Sequence, residues 1–260
     1  MGVLDDVAEV IAAEEFGAVV TVIKGDGIGS RALMRPDGSV RSGALPEVIL
    51  NDVAVDVVEL LAHEQSKAVA YESHEVFIEP LIPPPNLVIF GAVHIAQELT
   101  KHATMLGFRV TVSDARQAFL TEERFPEAVA LLRGWPEDIL DKLILDARTY
   151  IVLLSHDVRF EEPVLQAVLP SEVKYIGAMG SRRTHANRVE KLLGEGFTQE
   201  QVGRIHGPVG LDLGAEGPGE TAISIIAEMI HSRYGSGTGV SLRGRSGRIH
   251  RQRTQDEGDV

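Results

Sequence analysis

Three consecutive prolines, Pro83-Pro84-Pro85, interrupt the chain, and the pattern that follows them constrains the fold more than any other feature. Proline has no backbone N–H and a fixed φ, so the run can continue neither a helix nor a central strand and makes a short stiff linker. Directly after it, Leu87-Val-Ile-Phe90 is apolar at every position. A strand with one solvated face would alternate; an unbroken apolar run is expected where a parallel sheet is covered on both faces. A second such run occupies 150–154, with further strands expected at 108–112 and 174–176. Helical patterns fall between and after them, at 95–106, 163–168, 184–193 and 218–232, the last with Ile223, Ile226 and Ile230 as an apolar stripe. Alternating strands and helices imply a parallel sheet with right-handed crossovers. The expected fold class is α/β: a Rossmann-like parallel-sheet domain over residues 86–234, joined to a small N-terminal α+β domain over residues 1–82.

The N-terminal expectation rests on local signals. Residues 5–15 carry apolar positions at helical spacing, and 18–23 form a β-branched run. Pro36-Asp-Gly38 reads as a turn between strands at 31–34 and 39–41, because proline presets φ and glycine accepts a positive one. A helix at 46–61 and strands at 67–71 and 76–81 complete the unit. Residues 235–260 are rich in Gly, Ser and Arg and nearly free of apolar residues, which reads as a disordered tail.

Composition sets outer bounds. At 44% hydrophobic and 24% charged over 260 residues, the chain can bury a core. Its formal net charge of −13 argues against nucleic acid and against a membrane surface as partners. No apolar run approaches the ~20 residues of a membrane span, and the acidic N-terminus lacks a basic region of the kind that opens a signal peptide. With no cysteine there are no disulfides, thiolate zinc sites or cysteine nucleophiles, which fits a cytoplasmic protein.

In open α/β sheets, ligands sit beyond the carboxyl ends of the strands, so the loops there are the places to look. Gly91-Ala-Val-His-Ile-Ala96 follows the first strand. Gly91 and Ala96 match the first and third positions of a dinucleotide turn, and Val93 replaces its second glycine. The helix that follows still presents N–H groups to an anion, and Gly91, Ala92, His94 and Ile95 are the candidate contacts. A plain strand-to-helix turn is the alternative. Asp114 and Arg116 follow the second strand, with Asp114 near the ~20-residue spacing at which an acid reaches a ribose hydroxyl; a helix cap is the other reading. Ser155, His156 and Asp157 end the next strong strand and could bind a ligand, position a proton or cap a helix. Gly177, Gly180, Ser181, Arg182 and Arg183 lie in a segment that reads as an anion nest with guanidinium support. Residues 206–214 form a further glycine-rich loop, long enough to be functional.

Taken together, these segments resemble the XdhC/CoxI family of accessory proteins of molybdenum hydroxylases such as xanthine dehydrogenase. The resemblance runs through Phe90-Gly-Ala-Val-His-Ile-Ala96, residues 108–116, Glu123-Arg-Phe-Pro126, Leu154-Ser-His-Asp157, residues 175–184, residues 205–214 and 218–228. In the N-terminal part it is carried by strand order and Arg35-Pro-Asp-Gly38. It implies a chaperone that binds the molybdenum cofactor (molybdopterin), assists its maturation and delivers it to an apo molybdenum hydroxylase subunit of the xanthine dehydrogenase or CO dehydrogenase type. The implied ligand bears a phosphate, and the protein is then an insertion chaperone more than a turnover enzyme. Two departures accompany the resemblance. The family's Gly-Gly-Gly-Cys-like segment reads Ser42-Gly-Ala-Leu-Pro46 here, and its Gly-Ala-Gly-His loop carries Val93, a side chain expected to crowd a pyrophosphate.

Two other readings compete. An NAD(P)-dependent oxidoreductase, or a protein regulated by an adenine nucleotide, would follow from the fold and Asp114, with His156 as proton donor. A zinc or manganese site could draw on His94, His156, Asp157 and His206, though their spacing matches no metal motif. A homodimer is the base-rate assembly.

Overall fold

The structure is a computed structural model that describes residues 2–155, 157–235 and 237–244. It divides into two compact units, one through Pro83 and the other from Pro84. The expected tail falls at 245–260 outside the described residues.

In the first unit, α1 (Val3–Ala12) precedes β1 (Gly17–Lys24), β2 (Arg31–Met34) and β3 (Val40–Gly43). Then come α2 (Glu47–Ala62), β4 (Lys67–Tyr71) and β5 (His74–Leu81). The strands make a five-stranded antiparallel sheet in the order β3-β2-β1-β5-β4. Ala18, Val20 and Val22 alternate along β1 and point into one core. The same core holds Ile49, Val53, Val57, Leu60 and Leu61, which recur at helical spacing along α2 and cover that face.

The second unit is doubly wound. β6 (Asn86–Phe90) leads into α3 (His94–Met105), then β7 (Arg109–Asp114), β8 (Ala130–Arg133) and α4 (Pro136–Ile139). β9 (Thr149–Leu153), α5 (Val158–Val168), β10 (Tyr175–Ala178) and α6 (Arg182–Gly194) follow. α7 (Gln199–Gly203), β11 (Ile205–His206) and α8 (Pro218–Tyr234) complete it. The six strands are all parallel, in the order β11-β10-β9-β6-β7-β8. Counting from β6, this is the 3-2-1-4-5-6 order of dinucleotide-binding sheets, and the direction of winding reverses between β6 and β9. The α/β expectation holds.

The apolar run of β6 explains itself in the packing. Leu87 and Ile89 face α3 and α8, while Val88 and Phe90 face α5 and the α6–α7 side. Each such buried aliphatic side chain contributes about 1.5–3 kcal/mol relative to exposure. Two expectations need correction. α5 begins at Val158, not at 163, with Pro163 inside it. Asp157 caps it by accepting from the Arg159 N–H, and that cap carries the helix into a residue that cannot complete the ladder. In α8 the buried stripe is Ala222, Ile225, Ile226 and Met229, and Ile223 and Ile230 are exposed. Isoleucines at 223, 225, 226 and 230 offer two overlapping stripes, and the one that wins uses the small Ala222 against the packed α3.

Candidate ligand site at the sheet switch point

The carboxyl ends of β6, β7 and β9 surround a cavity of about 490 Å³. That is within the ~300–1,000 Å³ of small-molecule sites, and it lies where the winding reverses. Gly91, Asp114, Ala115, Arg116, Trp135, Ser155, Asp157, Arg159 and Phe160 line it.

Gly91 sets the floor. Its φ is +116°, and a Cβ there would stand 3.0 Å from the Ser155 backbone nitrogen and 3.1 Å from the Leu154 carbonyl carbon. Only glycine lets the ends of β6 and β9 approach this closely without strain. Ala92 is buried, and its N–H donates to Asp114 Oδ2 at 2.7 Å. Asp114 therefore ties the β7 end to the β6 turn. Its side chain is 3% exposed and also accepts from Arg116: N–H to Oδ1 at 2.8 Å, Nε to Oδ1 at 3.0 Å, and a terminal nitrogen to Oδ2 at 2.8 Å. Burial opposes ionisation of Asp114, but the donors of Arg116 and Ala92 outweigh it and hold the carboxyl below its ordinary value. With both oxygens engaged, Asp114 is a brace between two loops, and a ribose contact would have to displace Arg116.

The β9 end repeats this arrangement. Asp157 accepts from Arg159 through Nε at 3.0 Å and a terminal nitrogen at 2.7 Å. Hydrogen bonds from the Arg159 side chain and backbone keep the Asp157 carboxyl below its ordinary value. Arg116 and Arg159 are 55% and 73% exposed, so both guanidinium groups remain in contact with solvent as well as with their aspartates.

The other expected residues are distributed differently. His94 is exposed at the first position of α3, and Ile95 packs on the core beneath it. Val93 is partly buried against that same core and is not among the cavity-lining residues, so its side chain does not crowd this space. His156 lies outside the described residues. Gly177 is inside β10, where a Cβ would meet Val209 at 2.6 Å and Tyr175 at 2.8 Å; it is a packing glycine rather than part of a nest. Gly180 and Ser181 do start α6, with Ser181 Oγ accepting from the Thr184 N–H at 3.1 Å. Arg182 and Arg183 are exposed on its first turn and do not line the cavity; Arg183 borders a separate groove between α5 and α6.

His206 is on β11, not in a loop. Its ring stacks 4.6 Å from that of Tyr175, and its Nδ1 lies 3.6 Å from Glu228 Oε1. Glu228 Oε2 accepts from the Tyr175 hydroxyl at 2.5 Å and the Gly210 N–H at 2.9 Å. Among the described residues, no three His, Asp or Glu side chains are placed to hold a metal ion. Ala115, Trp135, Arg159 and Phe160 went unanticipated. Asp157 followed by a helix-length pattern was the one signal that could have located Arg159 and Phe160, as the first turn of α5.

The family model of the XdhC Rossmann domain matches residues 87–229. The chain belongs to the XdhC family. The match covers the doubly wound sheet from Leu87 onward, the switch-point cavity included. Among curated relatives, the chain is 33% identical to a probable xanthine dehydrogenase subunit of Bacillus subtilis over 62% of this chain and 47% of that protein. It is also 33% identical to the molybdenum cofactor insertion chaperone PaoD of Escherichia coli, over 49% of this chain and 42% of that one. The chain thus spans less than half the length of either relative. A crystal structure of a xanthine dehydrogenase from Bacillus halodurans superposes with a TM-score of 0.67 at 25% identity, covering 88% of this chain and 65% of that one. Among the described residues, no helix is long and apolar enough to cross a membrane.

Proposed function

We propose that this XdhC-family chain is an accessory chaperone that binds the molybdenum cofactor by its phosphate-bearing pterin and assists its maturation and insertion into an apo molybdenum hydroxylase. One observation carries the reading: the domain that defines the family encloses, at its switch point, a cavity with an arginine on each of two walls. The names of the two relatives, one from a xanthine dehydrogenase and the other an insertion chaperone, support the client and the ligand.

The residues fit the organic part of the cofactor. Arg116 and Arg159 can donate planar, charge-assisted hydrogen bonds to a phosphate, and Gly91 keeps the floor flat enough for close approach. No cysteine is available as a molybdenum ligand, so binding would fall to the pterin and phosphate. When bound, the group supplies the redox-active metal centre that the client enzyme uses. The chain's own part is to hold the phosphate and to shield the ring. A dinucleotide oxidoreductase finds less support, because Asp114 is already saturated by four donors.

The test is direct. Purified protein is denatured and the supernatant assayed for oxidised pterin, molybdenum and adenine nucleotides. Pterin in the supernatant supports the proposal and makes client capture the next step. NAD or another adenine nucleotide without pterin would overturn it.

A further inference from the structure

We infer that Trp135 and Arg159 form a stacking wall that selects a planar conjugated heterocycle bearing an anionic group; the inference rests on the switch-point cavity being the ligand site. Trp135 follows β8, precedes α4 and lines the cavity. Phe160 packs beside it with ring centroids 4.9 Å apart and planes inclined by 40°. The Arg159 guanidinium carbon lies over the indole, 4.7 Å from its centroid. Asp157 grips the same guanidinium from its edge through two nitrogens. Arg159 is thus held in position, and with 73% of its side chain exposed it still lines the cavity.

A guanidinium held over an indole face offers a platform for a third, flat group. Guanidinium planes stack on aromatic rings, and unsaturated bases stack on both. An inorganic anion would gain nothing from the indole. On another wall stands Arg116, its guanidinium 4.7 Å from the Phe119 ring centroid and bound to Asp114. The cavity therefore presents a stacking surface at Trp135–Arg159 and a second cation at Arg116. Trp135 and Phe160 line the cavity and Phe119 does not, so the aromatic surface open to a ligand is on the Trp135 side; this assigns the ring to that side and an attached phosphate or carboxylate to Arg116.

The chain contains one tryptophan, so its emission reports on this wall alone. AMP and pterin-6-carboxylate serve as ringed anions and ribose 5-phosphate as the ringless one, each titrated by calorimetry and by fluorescence. Stacking of one ring predicts roughly tenfold or tighter binding of the ringed probes over ribose 5-phosphate. They should also quench Trp135 emission, while ribose 5-phosphate leaves it unchanged. Trp135→Leu keeps an apolar partner for Phe160, and Arg159→Gln alters an exposed side chain, so both should fold, as checked by thermal melting. Each should collapse the ring preference to within about threefold, and Trp135→Leu, which removes no cation, should leave ribose 5-phosphate affinity within about threefold of wild type. Equal affinities in the wild type, or a preference that survives both substitutions, would overturn the stacking wall and leave the ligand site standing. Binding of none of the three probes would overturn the ligand-site reading, and the wall with it.

Discussion

Asp114→Asn tests the brace that shapes the cavity. The substitution keeps volume but removes the charge and turns one acceptor oxygen into a donor NH2. In the wild type, Oδ2 serves the Ala92 N–H and an Arg116 terminal nitrogen, and Oδ1 serves the Arg116 N–H and Nε. Either orientation of the amide sets its NH2 against donors. If it faces Ala92, a buried backbone N–H loses its partner, which costs about 1–3 kcal/mol. The lost pairing with Arg116 adds less than a buried ion pair would, since Arg116 is 55% exposed and water takes over its hydration. A total of about 2–4 kcal/mol follows, or roughly 2–4 °C of melting temperature per kcal/mol for a domain of this size. The acid dependence supplies a second readout. Asp114 is depressed below its ordinary value of 3.8, so its contribution is complete above that value and fades as pH falls through the lower folded value. Denaturant unfolding at a series of pH values from 7 downward should show the gap between wild type and Asp114→Asn narrowing once the pH falls below 3.8. A difference below about 0.5 kcal/mol at pH 7, within the range of an ordinary surface change, would refute the brace. So would a gap that stays constant into acid.

Three further outcomes are expected. Arg188 is 3% exposed in its side chain and bonds both oxygens of Glu161 and the Met179 carbonyl, so Arg188→Leu should destabilise by about 3–5 kcal/mol in urea titrations, with Arg188→Lys a poor rescue. Glu228→Gln should cost about 1–3 kcal/mol, and a double-mutant cycle with Tyr175→Phe should give a coupling above about 0.5 kcal/mol, since both act through one 2.5 Å hydrogen bond. In calorimetric titrations with AMP, Arg116→Gln should weaken binding by about 1.5–3 kcal/mol, whereas Arg182→Ala with Arg183→Ala should change it by less than about 0.5 kcal/mol, because those two side chains do not line the cavity.

Legibility in the sequence tracked how many physical constraints bore on each segment. Leu87 to Phe90 had to be a covered strand, because only burial on both faces tolerates four consecutive apolar side chains, and the structure places alternate residues in two separate cores. Asp114 and Gly91 were legible as strand-end residues because the turn that follows a parallel strand has few solutions. What Asp114 does was not legible: its partner Ala92 contributes only a backbone N–H, which carries no side-chain signal. β8 reads Ala-Leu-Leu-Arg and β11 is two residues long, so their pairing with β7 and β10 comes from tertiary context and not from propensity. Missing β8 hid Trp135, which that strand delivers to the cavity. Pro163 pulled the expected start of α5 five residues late, and that shift concealed Arg159 and Phe160. The arginine pair at 182–183 was conspicuous in sequence because two cations at a helix start oppose the macrodipole. The structure places that pair outside the cavity, and Arg116 and Arg159, each beside an aspartate, inside it.

The two strand-end pairs share one spelling, Asp114-Ala-Arg116 and Asp157-Val-Arg159. Each guanidinium is tethered to a rival carboxylate two residues away, at a local concentration that no diffusing anion matches. An incoming phosphate therefore competes with that carboxylate for the guanidinium, and on departure the carboxylate is still in place to neutralise it. Such a cation does not become stranded when its guest leaves, which lowers the barrier to exit and shortens residence time. A storage protein would gain from the opposite design. For a carrier of the kind proposed above, whose task would end in giving its cargo away, internally neutralised arginines would supply grip without retention.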